Sequence, residues 1–288
     1  MRLSALLAAS LLLLPAAPAF GQAPSNSEPS ECAAGRAALD LGNTAEAIDF
    51  FRTCLDRAEL DMNAEIGIYA AMGAAQLSEQ DFQAALEAYN FAFAIVETNG
   101  GRVVEPSLYR NRGIARSELG QLDGALEDLL QAAAAAPDDT LTHINLGVVY
   151  QALGHEADAV VAFDTVVRLE PDWIGAWINR AGALLDVGMT GAAVEDARRA
   201  VELAPEDGSA LNMLCWTLIQ DGRAETALPL CEMAVAAEPD IGAIVHSHAT
   251  ALEAVGRADE ARSLYRRAWR LSPEDPEITE DYERTHNP

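Results

Sequence analysis

Four cysteines, Cys32, Cys54, Cys215 and Cys231, are the side chains here best suited to covalent chemistry. Thiols spaced this widely do not form the close Cys and His clusters that hold zinc or run redox exchange, which leaves disulfide bonds or inert burial. The five histidines, His143, His155, His246, His248 and His286, form no metal-binding or base motif. His246 and His248 are two residues apart and so point to different sides of a helix. The chain has no H-E-x-x-H, no G-x-S-x-G and no phosphate-binding glycine loop. Acidic pairs such as Glu127/Asp128 and Glu206/Asp207 read as solvated faces or helix starts. These residues predict no catalysis, no metal and no cofactor. A different chemistry is offered by Asn111, Asn145 and Asn179, set 34 residues apart. Each amide presents a donor and an acceptor, the pair needed to grip successive peptide groups.

That step of 34 recurs across the chain. Pro137, Pro171, Pro205, Pro239 and Pro273 keep it, as do Gly120, Gly154, Gly188, Gly222 and Gly256, and Ala125, Ala159, Ala193, Ala227 and Ala261. Within 140–173 the apolar and small residues of His143–Tyr150 recur at helical spacing, and Gly154 supplies a left-handed stop. A second stripe, Ala159, Phe163 and Val166, keeps one helical face until Pro171, which cannot continue the helix. The unit is two antiparallel helices, and Asp138, Asp172, Glu206 and Asp240 complement the dipole where the next helix starts.

Leu146, Gly147, Tyr150, Gly154, Ala159, Phe163 and Pro171 make this unit resemble the tetratricopeptide repeat. The same phase fits 106–139, 174–207, 208–241 and 242–275, and two degenerate units, 28–61 and 66–99, precede them. The expected fold is all-α: an α-solenoid of about seven stacked antiparallel helix pairs, which the resemblance winds into a right-handed superhelix. Residues 276–288 are expected as an acidic polar tail that caps the last repeat.

In this frame the cysteines fall into register. Cys32 and Cys54 take the fifth and twenty-seventh positions of their repeat, Cys215 and Cys231 the eighth and twenty-fourth of theirs. Both sums are 32, and across an antiparallel hairpin a constant sum marks residues at equal height. Two disulfides are expected, Cys32–Cys54 and Cys215–Cys231, each of structural role.

The resemblance also implies that the first helix of each repeat lines a concave groove, with its sixth position pointing inward. The expected partner-binding residues are therefore Asn111, Asn145 and Asn179, with Arg110, Asn212 and Trp216 beside them, along with Ile144, Val148 and Ile178. The family's carboxylate clamp is not expected, because Ile114 and Gly175 stand where Asn and Lys would be required.

The amino terminus joins Arg2 to an apolar run, Leu3–Leu14, and then to small residues at Ala-x-Ala spacing. This reads as a signal peptide over 1–23, followed by a linker at 24–27. No cysteine lies near the cleavage region, so a lipoprotein is not expected. The net charge is −26 and every one of the 19 basic residues is arginine. That charge opposes nucleic acid and anionic lipid, and is compatible with a basic partner. Arginine-only, alanine-rich usage fits a GC-rich bacterial genome. The expected function is a non-catalytic scaffold or adaptor in the periplasm, or a secreted one, holding a protein or extended peptide in its groove with no stable membrane insertion. The alternative is a structural or regulatory subunit of an envelope assembly, docking through its convex face or its ends.

Overall fold

A computed structural model of the chain describes residues 29–101 and 105–286. The signal-peptide and linker expectations lie outside the described residues. Among these there are fifteen helices and no strand. They divide into two compact units whose boundary falls between Val149 and Tyr150.

The first unit holds α1 (Ser30–Asp40), α2 (Thr44–Arg57), α3 (Met62–Ser78), α4 (Phe82–Thr98), α5 (Pro106–Glu118) and α6 (Leu122–Ala135). The unit boundary cuts α7 (Thr140–Leu153). The second unit continues with α8 (Glu156–Leu169), α9 (Ile174–Asp186), α10 (Thr190–Leu203), α11 (Gly208–Gln220) and α12 (Ala224–Ala237). It ends with α13 (Gly242–Ala254), α14 (Ala258–Leu271) and α15 (Pro276–His286).

Sequence punctuation explains these limits. Gly120, Gly154, Gly188, Gly222 and Gly256 all take φ between 72 and 83°, the left-handed turn at which the first helix of each pair ends. The second helix of each pair stops two residues before its rung proline: Ala135 before Pro137, Leu169 before Pro171, and so on to Leu271 before Pro273. The degenerate α3–α4 pair lacks the glycine, and there Gln80 takes the left-handed conformation instead, at φ 60°. Asp61, Asp81 and Asp207 cap α3, α4 and α11 by accepting from the backbone N–H three residues on.

Hairpins close on one recurring contact between a small residue and a large one. A Cβ on Gly35 would lie 2.5 Å from Phe51, one on Gly73 2.8 Å from Tyr89, and one on Gly113 2.9 Å from Leu129. Cys215 and Cys231 occupy the equivalent positions of the α11–α12 hairpin and are joined there, with Cα atoms 5.3 Å apart. Cys32 and Cys54 join α1 to α2 across 5.2 Å. All four cysteines are buried, and each bond stays within one hairpin.

The tail expected at 276–288 is a helix for most of its length. Asp275 accepts from the N–H groups of Glu277 and Ile278 at the start of α15. Ile278 is fully buried against Val245 and Ala268, so α15 covers the apolar side of the last hairpin as half of a further repeat.

Candidate partner-binding surface

Within each unit the first helices of successive pairs pack side by side: α1 on α3 and α3 on α5, then α9 on α11, α11 on α13 and α13 on α15. Among the described residues the second helices of successive pairs do not pack on one another to this extent. Helices that approach more closely lie on the inner side of a curved stack, so this layer is the inner face of each unit.

In the first unit the sixth-position reading meets a different arrangement. Arg110 and Asn111 are both buried. Arg110 Nη1 donates to Asp139 at 2.7 Å, and its Nε donates to Asn111 Oδ1 at 3.3 Å. Thr142 donates to the same Asp139 carboxylate. The pair is therefore held inside the layer rather than displayed on it, because Asp139, from the turn before α7, supplies a counter-charge for the guanidinium. Asn145 is half-buried and returns its amide N–H to Leu141 O of its own helix at 2.7 Å. Ile144 is buried, and Val148 is exposed.

In the second unit Asn179 is buried on α9, as is Ile178. Asn212 and Trp216, one turn apart on α11, each carry a solvent-shielded polar atom, Oδ1 and Nε1, with no hydrogen-bond partner among the described residues. The Trp216 ring lies 6.3 Å from that of His246 on α13. His246 pairs through Nε2 with Asp281 of α15 at 2.8 Å, while its Nδ1 is shielded and unpartnered.

A polar network continues from there along the face. Arg284 donates to both oxygens of Glu253 at 2.7 and 2.8 Å and to Asp281 at 2.8 Å. Tyr265 donates to Glu253 at 2.7 Å. The Arg284 hydrogen bonds hold the Glu253 carboxyl below its ordinary pKa. Burial pushes Asp281 up, but hydrogen bonds from His246 and Arg284 outweigh it and hold Asp281 below its ordinary value. Glu277 is raised by burial, and His248 is lowered by burial.

His143, Trp177 and Thr279 share one repeat position and one job. His143 Nε2 and Trp177 Nε1 each lie 2.8 Å from the carbonyl of the preceding rung proline, Pro137 and Pro171, and Thr279 Oγ1 lies 3.0 Å from that of Pro273. Each side chain ties the start of its helix to the turn before it.

The reading of Asp128 as solvated is corrected. Asp128 is 1% exposed and is held by Arg112 through two bonds of 2.8 and 2.7 Å and by Arg116 at 2.9 Å. The Arg112 guanidinium also lies 3.4 Å over the Phe93 ring. In the second unit Arg180 likewise forks onto Asp196, and here the guanidinium is the shared group, since it also meets Asp164. A repeat-phased signal could have shown this, since both Arg–Asp pairs are sixteen residues apart and 68 residues separate one from the other.

Residues 175–282 and 32–59 match family models described as tetratricopeptide repeat. It is a tetratricopeptide repeat protein. Proteins with tetratricopeptide repeats generally mediate protein–protein interactions. This tetratricopeptide repeat protein is similar to the protein FlbA of Caulobacter vibrioides, with 37% identity over 99 residues, 34% of this chain and 17% of the relative. It is also 33% identical to a small glutamine-rich tetratricopeptide repeat-containing protein of Mycosarcoma maydis over 101 residues, 35% of this chain and 27% of the relative. The match thus spans under a third of the length of either relative. A crystal structure of a tetratricopeptide repeat protein from Parabacteroides merdae has a TM-score of 0.69 at 16% identity, covering 88% of this chain and 97% of that one. That likeness is one of fold.

Among the described residues of the tetratricopeptide repeat protein, no group of three or more His, Cys, Asp or Glu is placed to hold a metal ion. No described helix is long and apolar enough to cross a membrane. Two disulfides fit an oxidising compartment.

Proposed function

We propose that this protein is a non-catalytic interaction scaffold or adaptor of the bacterial periplasm, built from seven repeats over residues 28–275, which holds a segment of a partner protein along the inner helix layer. The observation that carries this reading is the pair Asn212 and Trp216. Their shielded Oδ1 and Nε1 atoms have no partner among the described residues, and buried polar groups normally find one. An acceptor and a donor one helical turn apart match the N–H and C=O of a peptide backbone, and Asn179 on the adjacent helix extends the row. In the first unit, Arg110 and Asn111 would shape that unit's own inner layer from beneath, through Asp139. An export signal at the amino terminus and the two disulfides support the periplasmic address.

The test is affinity capture from an envelope fraction, identification of the partner by mass spectrometry, and titration of that partner against Trp216→Phe and Asn212→Ala. Trp216→Phe removes the N–H together with the pyrrole half of the indole and keeps a six-membered ring at the site, so a small cavity remains in this buried position. Each lost hydrogen bond is worth roughly 0.5–1.5 kcal/mol, and the double variant should bind about tenfold more weakly while its helical circular dichroism at the binding temperature stays that of the wild type. Unchanged affinity would move the site off this layer.

A second reading has its own observation. Phe91, Leu130, Val161 and Met233 are exposed on the second helices of their pairs, which suits a subunit of an envelope assembly docking through the outer face. A stoichiometric complex that survives high salt would favour it.

A further inference from the structure

The helix α14 breaks the charge pattern of the chain. Carboxylates outnumber arginines 45 to 19, yet α14 carries Arg262, Arg266, Arg267 and Arg270 in fourteen residues. Six arginines outside α14 sit close on carboxylates: Arg110, Arg112, Arg116, Arg180, Arg257 and Arg284 all have one within 2.9 Å. On α14 only Arg262 has one, Asp259, at 3.9 Å. Arg266 instead donates to His286 Nε2 at 3.2 Å, and Arg267 to the Pro239 carbonyl at 2.6 Å. Arg270 has no ion-pair or hydrogen-bond partner among the described residues.

Arg262, Arg266 and Arg270 are exposed and four residues apart, so they form one stripe about 12 Å long at 1.5 Å per residue. Beside it lies an aromatic stack. Trp269 lies face to face with Tyr282 of α15, centroids 4.6 Å apart at 10°, and Tyr282 is 4.4 Å from the His286 ring. Trp269 and Tyr282 are both half-buried.

We propose that this face of α14 docks an acidic polypeptide segment, whose carboxylates meet Arg262, Arg266 and Arg270 and whose apolar side chain rests on the Trp269–Tyr282 stack. The arginines lie one helical turn apart, about 6 Å. That spacing matches Asp or Glu on alternate residues of an extended chain, at about 3.3 Å per residue, or on successive turns of a helix. Guanidinium groups grip carboxylates in a fork, which gives such a contact register as well as charge. A polypeptide segment fits better than a lipid surface. The stripe is short, and a chain of net charge −26 would be repelled from an extended anionic plane that the stripe alone could not neutralise. This surface is separate from the inner-layer site, so either can fail without the other.

The test uses the full chain and a dye-labelled peptide with Glu at alternate positions and one central Phe, read by fluorescence anisotropy at low and at physiological ionic strength. The same peptide with Lys for Glu is the comparison. Wild type should bind the Glu peptide, more weakly as salt rises, and Arg262→Ala/Arg266→Ala/Arg270→Ala should lose about tenfold or more in affinity. Arg198→Ala, an exposed arginine on α10, should bind as wild type does, and all variants should melt alike. No binding of the Glu peptide, or equal binding by the triple variant, overturns the proposal. Concentration-dependent self-association that the triple variant abolishes would also overturn it, in favour of a second copy of this chain. Stripe-dependent binding to anionic vesicles in place of the peptide would overturn it in favour of a lipid surface.

Discussion

Arg112 forks onto Asp128 across the α5–α6 hairpin, and Arg180 repeats the fork onto Asp196 across α9–α10 with bonds of 2.7 and 2.8 Å. The two pairs hold the same repeat positions, seventh and twenty-third. At Asp128 a second guanidinium joins, from Arg116, so one buried carboxylate balances two arginines. A pair of this kind locks the register between its two helices without necessarily adding net stability, but removing one partner strands the other.

Asp128→Asn should therefore destabilise the first unit by about 3 kcal/mol, because two largely buried arginines lose their counter-charge. Urea unfolding followed by helical circular dichroism measures this. The double variant Arg112→Leu/Asp128→Leu should recover part of the loss, which separates a stranded charge from lost packing.

Gln80→Gly should stabilise the α3–α4 pair by about 0.5–1 kcal/mol. Gln80 is the sole described non-glycine residue at positive φ, and a left-handed backbone costs an ordinary side chain about 1–2 kcal/mol. A looser unfolded chain offsets part of that gain. A rise in the urea midpoint at constant m-value is the expected result.

Reducing Cys215–Cys231, or replacing both cysteines with Ala, should cost about 3 kcal/mol in the chain-entropy treatment. The two residues are 16 apart in sequence. Non-reducing peptide mapping should recover this pair and Cys32–Cys54. Both bonds should resist reduction until the hairpins open, since all four cysteines are buried.

Acid should loosen α15 first. Glu253 and Asp281 are held below their ordinary pKa values in the folded protein. Their contribution is complete above the unfolded carboxylate value of about 4 and is lost as pH falls through the lower folded values. Glu277, raised by burial, acts oppositely, and its protonation offsets part of that loss. Trp269 reports the event because Tyr282 of α15 stacks on it. Its fluorescence should shift on acidification, and Arg284→Gln should start the shift at higher pH.

The repeat, its glycine stops and both cysteine pairs were legible because each depends on position within a single hairpin. A constant sum of indices is enough to place Cys215 level with Cys231. Asp128 was not legible in the same way. Beside Glu127 it looks like one more acid on a polar face, and its burial depends on two arginines from the facing helix and on Phe93 one pair away. The burial of Arg110 and Asn111 is hidden for a related reason: it depends on Asp139, from the turn before α7, which holds the Arg110 guanidinium. The helix α15 has few apolar residues, so its order rests on Ile278 finding Val245 and Ala268, a tertiary fact. Asn212 and Trp216 could be chosen from the repeat phase, but their unpartnered atoms could not.

Each disulfide joins the two helices of one hairpin, Cys32 and Cys54 lying 22 apart in sequence and Cys215 and Cys231 16 apart. Oxidation can therefore follow immediately on the formation of one local turn, without waiting for distant segments to find each other. The correct partner is always the nearest thiol along the chain, so the loop-entropy cost of closure favours it over any crossed pairing. A chain made or threaded from its amino terminus would seal its first hairpin before the later cysteines exist to compete. Scrambled bonds should thus be scarce even without an isomerase, and refolding of the reduced chain with an added disulfide oxidant should recover the native pairs by two independent two-electron oxidations, without reshuffling.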